Sequence, residues 1–165
     1  MYGLPGTISW TTLAGEHADR GVRQGGGAGV AVDQGDWWLG RAEYAVGRVS
    51  PNGSEFQGAA RELAVEVLVA LLRAGLPPFD IEVAVDDEAS GVTLETVSGR
   101  SAAVRVAWQQ DPAAEPHMPA ERWNAQRSAM NQALRTILSV QEFRIEDGPL
   151  GAPPIVLGTT RPSPS

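Results

Sequence analysis

Residues Glu55–Ala74 read EFQGAARELAVEVLVALLRA, and this stretch organises the rest of the chain. Phe56, Leu63, Val67 and Leu71 recur at helical spacing, and Leu68 and Leu72 widen the apolar stripe. Only Arg61, Glu62, Glu66 and Arg73 interrupt it, so the helix is apolar nearly all round and is expected at the centre of the core. Ser54 is placed to cap its start, with Gln57 in capping-box position. Gly75 suits the left-handed residue after a helix end, and Pro77-Pro78 prevents continuation.

Towards the C-terminus the period changes from helical to alternating. FDIEVAVD sets Phe79, Ile81, Val83 and Val85 against Asp80, Glu82 and Asp86, the pattern of a half-buried strand. VTLETV and AAVRVAW follow after the turn sequences DEASG and SGRS, which predicts a three-stranded antiparallel meander. QQDPAAEPHMP is a polar, proline-punctuated connector. A second helix is expected from Pro119, placed at its first position, through AERWNAQRSAMNQALRTIL. Trp123, Met130, Leu134 and Ile137 lie on one side of it and Asn124, Ser128, Asn131 and Arg135 on the other. EFRIE and IVLG read as closing strands around the turn DGPLGAPP.

Towards the N-terminus lies RQGGGAGVAVDQGDWWLGRAEY, Arg23–Tyr44. A phosphate-binding glycine loop delivers backbone N–H groups at a helix N-terminus, and a Walker loop adds Lys and Ser or Thr. Here Gly25–Gly29 runs into VAV, DQGD and WWLGRAEYAV, which read as strand, turn and strand, so a flexible lead-in to a hairpin is expected. On a regular strand Trp37 and Trp38 face opposite sides, with Arg41 and Glu43 on the side of Trp37. Trp37 is therefore expected outward and Trp38 inward.

Together these elements predict an α+β fold: a mainly antiparallel sheet of N-terminal hairpin, three-stranded meander and closing strand, covered by two amphipathic helices. A single domain over 1–158 and a disordered tail over 159–165 are expected.

Composition narrows the chemistry. The chain has 165 residues, 42% hydrophobic and 20% charged, the proportions of a globular domain. No apolar run approaches the roughly 20 residues of a membrane span. The start, MYGLPGTISW, has neither a basic nor a long apolar segment, so no secretory leader and a cytoplasmic location are expected. All 13 basic residues are arginine, which with the Ala, Gly, Val and Pro richness suggests a high-GC bacterial genome. Without lysine, Schiff-base and Walker-type chemistry is excluded. Without cysteine, thiol nucleophiles, thiolate zinc sites and iron–sulfur ligation are excluded. The net charge of −7 has the wrong sign for a nucleic-acid backbone and favours a basic partner if it steers one.

His17 and His117 are the two imidazoles; with Asp19 they could form a ligand set, but neither has a histidine two or four residues away. Asp80, Glu82, Asp86, Asp87 and Glu88 are most simply the solvent side of a sheet and its turn. No metal, cofactor or catalytic set is expected. The stripe Asn124, Ser128, Asn131, Arg135 reads as a solvated helix face or as a hydrogen-bonding surface for a partner. The functional expectation is a non-catalytic protein-binding module, an acidic adaptor, chaperone-like or immunity-type partner. Trp37, Trp38, Arg41 and Glu43 on the hairpin, with the α-helical polar stripe, are its candidate contacts. The competing readings are an enzyme or ligand binder using carboxylates with His17 or His117, and a subunit of a symmetric homo-oligomer.

Overall fold

A computed structural model describes residues 34–53, 55–82 and 90–160. The described elements are α1 (Gln34–Val46), α2 (Gly58–Arg73), β1 (Gly91–Val97), β2 (Arg100–Gln109), a 3-10 helix (Pro112–His117), α3 (Ala120–Val140), β3 (Phe143–Ile145) and β4 (Ile155–Thr159). The class is α+β. The four strands form one antiparallel sheet in the order β1-β2-β4-β3, so β4 returns between β2 and β3.

The central helix is as expected. Nine residues of α2 are buried, including Leu63, Val67, Leu68 and Leu71, and it packs against α1, β2 and α3. Its end is a Schellman motif: Gly75, at φ +79°, donates to Leu72 O at 3.0 Å, and Leu76 donates to Leu71 O at 3.0 Å. Leu76 then packs on the core. At the other end Gln57 occupies the N-cap without a side-chain bond; the expected cap, Ser54, lies outside the described residues.

Val92 and Leu94 on β1, Val104 and Val106 on β2, and Val156 on β4 are fully buried in the core with Leu134 and Leu138 of α3. The turn between β1 and β2 uses Ser98-Gly99, with Gly99 at φ +76°, a conformation glycine adopts without steric cost.

Three expectations are corrected. The tryptophan stretch is not a hairpin: Gln34–Val46 is helical, with Trp38, Ala42, Ala45 and Val46 on the face turned to the core and Val49, past its end, buried in the same core. The spacing of 4, 3 and 1 along the helix suits one face of it, and it outweighs the strand preference of Trp and Tyr. Residues 79–82 are not a strand. An isolated bridge joins Pro78 to Val92, and the Asp80 carboxylate accepts from Glu82 N–H at 3.0 Å, turning the chain where alternation favoured extension. Among the described residues three α-helices, not two, accompany the sheet, and Pro119 is the N-cap of α3, one position before the one expected. The connector after β2 holds the 3-10 helix, capped by Asp111, whose side chain accepts from Ala113 N–H at 2.9 Å.

At the C-terminal end, Thr159 pairs with Phe143, and Thr160 donates from both backbone and hydroxyl to Glu142 O. Thr159 is thus the last residue of β4, and Thr160 is a bend just beyond it; residues 161–165 of the expected tail lie outside the described set, as do Glu16, His17, Asp19, Gly25–Gly29, Val83, Val85, Asp86, Asp87 and Glu88.

Candidate functional site

On the side of α1 away from its buried stripe, Trp37, Arg41 and Tyr44 follow at intervals of four and three along one helix face, and Arg48 extends the row from the turn after the helix. Aromatic and guanidinium groups alternate and stack. Arg41 lies over the Trp37 ring at 5.0 Å and Arg48 over the Tyr44 ring at 4.3 Å. Trp37 is 47% exposed and Tyr44 63% exposed, large values for residues of their size.

This row forms one wall of a groove of about 620 Å³. The opposite wall is the segment Pro77–Asp80 after the end of α2. Its position is set by the edge of the sheet: Phe79 N–H donates to Val92 O and Val92 N–H to Pro77 O, each at 2.9 Å. Close approach is permitted by Gly91, where a Cβ would stand 2.6 Å from Phe79 N. Ile81 N–H donates to Arg48 O at 3.2 Å, and the Arg48 guanidinium reaches Glu82 at 2.5 Å and Asp80 at 3.8 Å. The two walls are therefore joined at one end by backbone and by partly exposed ion pairs. Charge along the groove balances, with Asp36 and Asp80 against Arg41 and Arg48. Among the described residues no carboxylate pairs with Arg41.

Trp38 is half-buried and packs on the core, its ring meeting Trp37 edge-on at 4.4 Å between centroids. Trp37 is thus the outward indole, as expected, but helix geometry and not strand parity puts it there. Arg41 joins it as expected; Glu43 is exposed and does not line the groove. Tyr44, Arg48 and the Pro77–Asp80 wall were not foreseen. The spacing Trp37, Arg41, Tyr44, Arg48 was the available signal, legible once the stretch is read as a helix.

The polar stripe of α3 has a different role. Asn131 is buried, accepting from Trp108 N–H at 3.1 Å and donating to Gly151 O at 3.1 Å. Ser128 lies under Gly151, where a Cβ would come within 1.7 Å of its hydroxyl oxygen. Arg135 donates to Glu146 O at 2.9 Å. Asn131 thus holds β2 and the β3–β4 loop to the helix, and its reading as part of a solvated or partner-facing surface is corrected; Ser128 and Arg135 are half-buried. Asn124 alone of the four is exposed, accepting from Arg127 at 3.0 Å. His117 ends the 3-10 helix in an exposed position. Among the described residues no group of three or more His, Asp or Glu side chains is placed to hold a metal, and no helix is long and apolar enough to cross a membrane.

Comparison with protein-family models, with curated proteins and with solved structures finds no match.

Proposed function

We propose that this chain is a non-catalytic protein-binding module whose contact surface is the α1 groove. The single observation that carries the reading is the exposure of Trp37 and Tyr44 along one row, each stacked with an arginine, beside the Pro77–Asp80 wall. Exposed Trp, Tyr and Arg are the residue types that dominate interface energetics, because they present large rigid area with a polar tip. Stacking orders the two guanidinium groups before binding, which lowers the entropy lost on association. The charge balance along the groove leaves recognition to apolar and stacking contacts, so an apolar or aromatic anchor of a partner protein fits it. The net charge of −7 favours a basic surface around that anchor.

Affinity capture from a native lysate compares the wild type with Trp37→Ala and with Glu121→Ala on α3, followed by titration of the captured protein against each. Selective loss with Trp37→Ala supports the reading. Equal binding by all three overturns it. A small-molecule ligand in the same groove would appear as a thermal shift with metabolites that Trp37→Ala abolishes.

A further inference from the structure

The α1 groove carries a spacing, a set of donors and a local charge. Trp37 and Tyr44 are two helical turns apart on one face of α1, which separates them by about 10 Å along the axis. Both rings stay open to solvent although each carries an arginine on one side. Pro77, Pro78 and Phe79 face them across the groove. Among the described residues, the Trp37 indole N–H, the exposed Arg41 guanidinium and the Tyr44 hydroxyl donate to no protein acceptor. The lining itself is neutral, but Glu82, which is not part of it, brings a second carboxylate to Arg48 beside Asp80. The corner where the walls join therefore holds two carboxylates against one guanidinium, and the Glu82 side chain there is 63% exposed.

An occupant has to match all three. On an extended strand the residues of one face recur about every 7 Å, short of the gap at one step and beyond it at two. A partner helix can match the gap, but its carbonyls are bonded within the helix and leave the groove's donors without acceptors. Polyproline II repeats every three residues, about 9 Å, and bonds none of its own carbonyls. Prolines three residues apart then pack on Trp37 and Tyr44, and the carbonyls of the segment accept from Arg41 and the two ring donors. The row continues past Tyr44 to Arg48, so the end of the segment reaches the corner of surplus negative charge, where Arg or Lys is favoured. We propose that the groove binds a basic, proline-containing segment of a partner protein in polyproline II conformation, with prolines on Trp37 and Tyr44 and a cation beside Asp80 and Glu82. The proposal rests on the reading of the groove as a protein-contact surface and names the chemistry of the partner.

The probe is a synthetic octapeptide, blocked at both termini, with prolines at its third and sixth positions, arginines at both ends and alanine elsewhere. Arginine at each end serves either chain direction. One control peptide replaces the prolines by alanine, and another replaces the arginines by glutamate. Each is titrated into the isotope-labelled full chain and followed by NMR. Saturable shifts of the Trp37 indole N–H and of the Arg41, Tyr44 and Phe79 amides are expected with the first peptide. Loss of the prolines, or reversal of the charge, is expected to weaken binding by about tenfold or more. Trp37→Ala is expected to weaken the first peptide to the same extent, and Tyr44→Ala replaces that variant should it fail to fold. Glu82→Gln should weaken the arginine peptide and leave the glutamate peptide no weaker. Non-saturating shifts, equal binding by the proline-free peptide, or undiminished binding by a folded Trp37→Ala or Tyr44→Ala would each overturn the proposal. If no peptide binds while a captured protein is still lost with Trp37→Ala, the proposal falls and the contact surface stands.

Discussion

Asn131 and Trp108 are joined across the helix–sheet interface: the buried amide oxygen of Asn131 accepts the backbone N–H of Trp108 at 3.1 Å. The amide nitrogen of the same residue donates to Gly151 O at 3.1 Å. One side chain thus satisfies a strand and a loop that α3 packs upon, and the helix-face polarity of the sequence is spent inside the protein.

Asn131→Ala is expected to destabilise the fold by about 1–3 kcal/mol, because it takes the partner from the part-buried Trp108 N–H and Gly151 carbonyl. Urea denaturation measures it as a lower midpoint with unchanged slope. A stability equal to wild type would mean that water replaces both bonds.

Gly91→Ala tests the wall of the groove. The added methyl would collide with the backbone at Pro78 and Phe79, which has no side-chain freedom with which to yield. A loss of about 1–3 kcal/mol is expected, the range of overpacking substitutions. Hydrogen exchange should rise at Phe79 and Val92, whose amides donate in this contact. Unchanged exchange at both amides would refute the described close approach.

The two adjacent tryptophans are expected to behave unequally. Trp38→Ala removes a ring packed on the core and should cost about 2–4 kcal/mol. Trp37→Ala removes an exposed ring and its edge contact with Trp38, which should cost about 0.5–1.5 kcal/mol. Thermal melts of the pair distinguish them. Partner affinity should instead fall with Trp37→Ala, by about 2 kcal/mol as for an anchor residue.

Val67, fully buried on α2, supplies the control for the core. Val67→Ala is expected to cost about 1–3 kcal/mol through lost methyl contacts and the cavity left behind. Equilibrium denaturation is the measurement, and no loss at all would contradict its place between the helices and the sheet.

The sequence alone determined what local chemistry governs. The long apolar period of Leu63, Val67 and Leu71 and the Gly75 stop specify α2. The β1–β2 hairpin and the closing strands followed from alternation and turn residues, and the excluded lysine and cysteine chemistries follow from composition. Where two periods competed, tertiary contact decided. Trp37–Val46 carries strand-favouring aromatics, yet Ala42, Ala45 and Val46 can all reach α2 only from a helix. Phe79–Glu82 alternates, yet its backbone N–H groups at Phe79 and Ile81 donate to Val92 O and Arg48 O in an irregular path. The groove could not be read in advance because its walls lie far apart in the chain and are joined only in the fold, by the Ile81–Arg48 backbone bond and the ion pairs of Arg48, with Gly91 admitting the second wall to the sheet edge. Asn131 shows the same division. Its period placed it on the polar face of α3, but only packing revealed that this face meets Trp108 and Gly151, because a hydrogen-bonding side chain serves a buried interface as readily as water.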